Sequence, residues 1–320
     1  MDKELLIKKD DKVIPNIKNE IRLFMVVRNE AIRLPYFYKY YRELGADRFF
    51  VIDNASSDLT IQYLVKQADT HVFYTEGHFK NKEIWLKEIM DQYGVGYWCL
   101  VVDADEIFQY PYCERVNLRL LCNFLDKEGK STIENLLVDM YPKGRIKDCV
   151  YKMGDSLIEH SPYFDPYCYE RLSCMRRHVM LESKMQMTAY FGGTRKRLFG
   201  IENLCCSKYS FIKYSQGILL DAGMHFVLGA SASNIQGVVL HFKFLHDFCQ
   251  RVYEEVKREE HFNKAKEYKK YQEKIMAGEF DAVYHNNSIR YINTQQMLDL
   301  GFMKISDDFK AYLREEGISL

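Results

Sequence analysis

The chain has 320 residues, 47% of them hydrophobic and 28% charged, with 45 basic against 45 acidic side chains. This length buries a substantial core as one large α/β domain or two smaller ones, and the charge balance excludes the basic profile of a nucleic-acid binder. The first twenty residues are charged without an apolar signal core, no window approaches the ~18 apolar residues of a membrane span, and the nine cysteines show neither CxxC pairs nor zinc spacing. Reduced thiols and a cytoplasmic location are therefore expected.

In chain order, Ile21–Val27 reads as a strand with Arg28-Asn29-Glu30 at its tip. Residues Ala31 to Leu44 carry apolar side chains at helical spacing (Leu34, Phe37, Tyr38, Tyr41, Leu44) and stop at Gly45. A second strand, Arg48–Ile52, runs into Asp53-Asn54-Ala55-Ser56-Ser57-Asp58, a segment of turn and N-cap residues, and Leu59–Gln67 reads as a helix. A strand at His71–Tyr74, a helix from Lys82 to Gln92 and a strand at Tyr97–Val102 complete four strand–helix alternations. That is the βαβ signature of a parallel sheet. A helix is expected at Val116–Leu125 and a strand at Thr132–Met140. Residues 141–185 have no clear period and read as irregular, followed by Gly192-Gly193-Thr194-Arg195-Lys196-Arg197 and the apolar run Val238–Leu245. Residues 246–276 read as a helical pair. The expected organisation is an extension at 1–20, an α/β domain at 21–245 divided near 110, and a helical region at 246–320.

The fourth strand ends in Asp103-Ala104-Asp105-Glu106. Ligands of open α/β sheets bind outside the carboxyl ends of the strands. Carboxylates crowded there repel each other unless a cation or a donor offsets them, and a divalent cation bridging to a diphosphate is the natural complement. An acidic helix start is the plainer alternative. No GxGxxG or GxxxxGK[ST] loop occurs, so phosphate would be held by metal and side chains rather than by a glycine cradle.

The run from Val26-Val27-Arg28-Asn29-Glu30 through Asp53-Asn54-Ala55-Ser56-Ser57-Asp58, with Asp103-Ala104-Asp105-Glu106 and the later Gly192–Gly200 and Val239–Leu245 segments, resembles family 2-type glycosyltransferases of the GT-A fold. The resemblance spans about residues 20 to 300. It implies a Rossmann-like, mostly parallel central sheet flanked by helices, an irregular acceptor region and C-terminal helices. It also implies a metal-dependent, inverting transfer of sugar from a nucleotide-diphosphate donor, most simply a UDP-sugar, to a bacterial surface glycan or lipid-linked acceptor, with peripheral membrane contact. Arg28, Asn29 and Glu30 then match the first-strand loop at the nucleotide. Asp53 matches the acidic contact to the base, with Asn54 and Asp58 in the same turn. Asp103 and Asp105 match the pair that holds Mn²⁺ or Mg²⁺ and diphosphate, and His241 would complete the metal shell, with His225 as runner-up. Ala55 stands where many relatives have Gly. If the turn needs a positive φ, Ala costs roughly 1 kcal/mol there.

Arg195, Lys196 and Arg197 are candidates for contacts to the phosphates, Arg favouring bidentate geometry; Lys208 and Lys243 are weaker ones. A base is needed on the acceptor side, and Asp165 and Glu170 are the first candidates, followed by Asp155 and Glu159. His178, His246, His261 and His285 are expected to be surface or core histidines, and Trp85 and Trp98 to serve packing. Two rival functions remain: a sugar nucleotidyltransferase, whose glycine-rich first loop is missing here, and a non-catalytic nucleotide-sugar-binding scaffold on a degenerate fold.

Overall fold

A computed structural model describes residues 6–177, 184–221, 223–260 and 262–319. Its first part contains β1 (Ile7–Lys8), β2 (Ile21–Val27), α1 (Leu34–Leu44), β3 (Arg48–Asp53), α2 (Thr60–Leu64), β4 (Thr70–Tyr74), α3 (Lys82–Tyr93) and β5 (Trp98–Val101). The middle adds β6 (Glu106–Gln109), α4 (Leu118–Glu128), β7 (Thr132–Asp139), α5 (Leu157–His160), β8 (Tyr163–Phe164), β9 (Tyr169–Arg177), β10 (Lys184–Gly192) and α6 (Gly193–Phe199). The remainder comprises β11 (Ser207–Lys208), β12 (Phe211–Lys213), β13 (Leu219–Asp221), β14 (Phe226–Leu228), β15 (Ala232–His241), α7 (Phe248–Arg258), α8 (Phe262–Met276), β16 (Ile289–Arg290), α9 (Thr294–Asp299) and α10 (Asp307–Glu315).

Ten strands form one sheet in the order β1-β4-β3-β2-β5-β12-β7-β15-β6, with β11 beside β7. The pairings make β2, β3, β4, β5, β7 and β15 run one way and β1, β6, β11 and β12 the other. The chain is thus mixed α/β around a mostly parallel sheet, as its alternating pattern led us to expect. Side chains alternate strictly along β2. Leu23, Met25 and Val27 join the core under α1 and α4, whereas Phe24 and Val26 join the core under α3 with Trp85 and Met90. Each such fully buried side chain contributes about 1.5–3 kcal/mol of transfer free energy. Both tryptophans are packing residues, Trp85 under α3 and Trp98 stacked on Phe211.

Local signals set the helix limits. Gly45 closes α1 in the left-handed conformation at φ 112°, and the Asn117 side chain accepts the Leu120 amide (3.1 Å) to cap α4. Two expectations are revised. The helix after Asp58 is shorter than Leu59–Gln67, ending at Leu64. The segment expected to be irregular contains β9, which pairs with β10 as an antiparallel hairpin. Residues 170–173 and 175 of β9 are exposed, so no buried face imposes the period-two pattern by which a strand is recognised.

The helices of 246–320 fold back on the rest. Phe248, Val252 and Tyr271 of α7 and α8 share a core with Tyr141, Phe199 and Phe244, and Phe309 of α10 packs against Phe124 of α4.

Candidate functional site

The parallel strands β5, β7 and β15 deliver their last residues to one edge of the sheet. Asp139 and His241 are register partners at the ends of β7 and β15, and His241 also faces Glu106. The Phe242 amide donates to the Asp105 carbonyl (2.7 Å), tying the loop after β5 to the end of β15. His241 consequently lies between two carboxylates: Nδ1 is 2.7 Å from Asp139 Oδ1 and Nε2 is 3.4 Å from Asp105 Oδ2. Burial alone would lower the His241 pKa, but the two carboxylates outweigh it and hold the pKa above its ordinary value. Burial would raise Asp105, yet His241 beside it keeps the carboxyl well below the usual range. For Asp139, Arg195 and His241 outweigh burial and bring the pKa down to about 2.

The other two strand-tip carboxylates have resident cations. Lys82 of α3 lies 2.5 Å from Asp103, and Lys208 of β11 lies 2.7 Å from Glu106. Burial raises the pKa of Asp103, but Lys82 and Lys208 lower it more. Because Asp103 turns to Lys82, no three His, Cys, Asp or Glu side chains among the described residues converge on a metal position. Asp105 and His241 do converge, and the carboxylate behind the histidine matches the outer shell of many metal sites. Carboxylate oxygens suit Mg²⁺ and Mn²⁺ while imidazole suits the later first-row ions, so Asp105 and His241 offer a mixed donor set. His225 instead bonds the Ser207 carbonyl (2.7 Å), and burial drives its pKa far down.

The loops after β2 and β3 interlock at the same edge. Arg28 donates to the Asn54 carbonyl (2.8 Å), Asn29 Oδ1 accepts the Ser57 amide (2.8 Å), and Asp58 accepts the amides of Ala31 (3.2 Å) and Thr60 (2.9 Å). Asn29 and Ala55 adopt φ 54° and 53°, so the turn does impose the left-handed conformation on Ala55. Asp53 accepts the Ser56 amide through Oδ2 (3.1 Å), while its Oδ1, like Asn54 Oδ1, is buried without a hydrogen bond. Burial raises the Asp53 pKa. A cleft of about 400 Å³ opens here, lined by Arg28, Asn29, Ser57 and by Arg251, Glu254, Glu255, Lys257 and Arg258 of α7.

Several expected site residues have structural occupations. The Glu30 carboxylate is buried and pairs with Arg33 (3.2 Å) and Arg251, clamping α7 to the first loop. Arg195 is buried between Asp139 (3.0 Å) and Glu267 (3.2 Å), so it faces carboxylates rather than open space. Asp165 is fully buried, and its oxygens are taken by Arg197 Nε (2.8 Å), His285 Nε2 (3.1 Å) and the Tyr141 hydroxyl. A carboxylate so enclosed anchors the chain and presents no oxygen to an acceptor. The same ion pair removes Arg197 from the phosphate candidates. Glu170 stands on β9 with its side chain 61% exposed, 4.0 Å from Lys196. His246 accepts the Tyr151 amide (3.1 Å); His178 and His261 lie outside the described residues. Lys82, Asp139, Asp247, Arg251 and Glu267 escaped the sequence reading. Only Asp139 carried a signal, a carboxylate ending an apolar strand.

No family model matches this chain, and no curated protein matches it. No helix among the described residues is long and apolar enough to cross a membrane. Among solved structures, one similar chain is HddC from Yersinia pseudotuberculosis, with 8% identity, 54% of this chain and 72% of that chain covered, and a TM-score of 0.26. Another is the UTP-bound UGPase from Acinetobacter baumannii, with 7% identity, 92% and 91% covered, and a TM-score of 0.28. At these scores the likeness carries no argument about fold or activity.

Proposed function

We propose that this protein is a metal-dependent glycosyltransferase that moves a sugar from a nucleotide diphosphate, UDP foremost, to a glycan or lipid-linked acceptor. The observation that carries this reading is the Asp105–His241 pair beside the cleft of Arg28 and Arg251, all at the carboxyl edge of the parallel strands. Asp105 and His241 would hold Mn²⁺ or Mg²⁺, which as a Lewis acid offsets charge on the diphosphate. Arg28 and Lys257 in the cleft offer positive charge to the same group. Asp53, the residue matched to the nucleobase contact, is fully buried, so its unpaired Oδ1 meets a donor N–H only if the loop after β3 shifts.

In the transfer, the acceptor hydroxyl oxygen bonds to the anomeric carbon, the bond to the diphosphate breaks with its electron pair, and the hydroxyl proton passes to a base. Glu170, open to solvent on the hairpin, is the proposed base in place of the enclosed Asp165. Inversion of configuration follows from the family resemblance. The ion pairs at Asp103 and Glu106 give some support to the scaffold alternative, in which donor binds without turnover.

Calorimetric titration with UDP, GDP, CDP and dTDP, each with and without Mn²⁺, tests the proposal. Mn²⁺-dependent binding of one diphosphate is expected. Asp105→Ala should abolish the Mn²⁺ dependence, and His241→Ala should weaken metal binding far more than His225→Ala. Unchanged affinity in Asp105→Ala would remove the metal site, and binding without donor turnover would leave the scaffold.

A further inference from the structure

The contacts that hold the hairpin of β9 and β10 to the sheet lie at its base. The Tyr190 hydroxyl donates to Gln236 (3.0 Å), the Tyr190 amide to Ser207 Oγ (2.8 Å), and Arg171 pairs with Glu134 (2.8 Å). Farther out the ribbon stands in solvent. Leu172 is 47% and Met175 63% exposed although they lie on opposite faces, and Ser173 and Gln186 are exposed as well. Register partners share a face. Leu172 with Ala189 and Cys174 with Met187 make an apolar one, which positions 176 and 185 continue, and Arg177 meets Lys184 on the other. From Arg171 to Thr188 the sequence holds four Lys or Arg against one acid, Glu182, in a chain whose charges balance overall.

We propose that the outer half of this hairpin is a docking arm for a bilayer surface rich in anionic phospholipid headgroups. A two-stranded ribbon is marginal in water on its own, and here the sheet covers only its base. Leucine and methionine can enter the acyl boundary, while arginine and lysine stems lie along apolar surface and carry their charges to the headgroup phosphates. The same cations argue against a second copy, because a twofold axis at the far end would set Arg176 and Arg177 against their own equivalents. No Phe, Tyr or Trp lies between Arg171 and Ala189 to stack on nucleobases. Attachment needs neither sugar donor nor metal, so it stands or falls apart from the transfer reading.

The test is flotation of the full chain with vesicles of phosphatidylcholine alone and of phosphatidylcholine mixed with phosphatidylglycerol. The protein should float only with the anionic vesicles, and added salt should weaken the association. Arg176→Glu with Arg177→Glu should weaken it about 25-fold or more, at roughly fivefold for each cation removed. Leu172→Ser with Met175→Ser should also weaken it and leave a remainder that salt abolishes. Hydrogen exchange on the anionic vesicles should slow in the hairpin and not in α7 or α8. A wild-type chain that ignores anionic vesicles overturns the proposal, as does binding that neither double variant reduces or slowing confined to α7 and α8. A dimer in sedimentation equilibrium that Leu172→Ser with Met175→Ser dissolves would give the apolar face to a second copy instead.

Discussion

His71 illustrates how burial and a nearby charge decide a single residue's behaviour. Its ring is buried on β4 beside Phe50, with Nδ1 lacking a hydrogen bond and 3.7 Å from Asp10. Burial outweighs the attraction of Asp10 and lowers its pKa from 6.5 to about 4. A base whose folded pKa lies below its unfolded value binds more protons when unfolded, so stability falls as pH drops through that interval. The loss begins near pH 6.5 and is complete near pH 4, on the order of 2–3 kcal/mol. Urea denaturation at pH 7 and pH 5 should show a larger drop for the wild type than for His71→Phe. Equal drops would mean that other groups set the acid sensitivity. Ala55 makes the complementary point. The family resemblance raised the condition that a positive φ there would strain an alanine, and the φ of 53° meets that condition.

At the scale of elements, the junction between the hairpin and α6 explains the glycine pair in a segment that otherwise reads as a basic turn. Gly192 has φ 112°, and a Cβ there would lie 1.9 Å from the Cys168 carbonyl oxygen, a backbone atom that cannot step aside. The Gly193 amide donates to that same carbonyl (2.7 Å), so the close approach holds the hairpin base against α6. Gly192→Ala should therefore destabilise the protein by several kcal/mol or prevent folding. Gly129→Ala, at φ 69° with open space around it, should cost only about 1–2 kcal/mol. Thermal melts of both variants compare the two, and similar losses would show that φ alone matters. Since α6 carries Arg195, Gly192→Ala should also disturb the Arg195–Asp139 ion pair behind His241.

The whole molecule joins segments far apart in sequence. The buried Arg33 pairs with Asp247 (2.7 Å) and Arg251 with Glu30, so the C-terminal helices complete the cleft that the first loop opens. On the other face, the rings of Phe309 and Tyr312 of α10 pack at a tilt around Phe124. Phe309→Ala should cost about 3–5 kcal/mol and lower the midpoint of one cooperative transition seen alike by near- and far-ultraviolet circular dichroism. A separate early transition at the C-terminus would show instead that residues 246–320 fold as an independent unit.

The sequence by itself determined the alternation of strand and helix from residue 21 to 102, the Gly45 helix stop, and the carboxylates at the tip of β5. These follow from local propensity and from the period of burial on a sheet covered on both faces. The family resemblance singled out His241, and the fold sets that histidine beside Asp105. The exposed hairpin and the true neighbours of each charge were not legible. Asp165, Glu30, Arg195 and Arg197 are polar residues in suggestive motifs, but ion pairs form through space between residues up to about 220 positions apart. Only the tertiary structure decided which carboxylates are enclosed and which stand open, because desolvation and counter-charge depend on what folds over them.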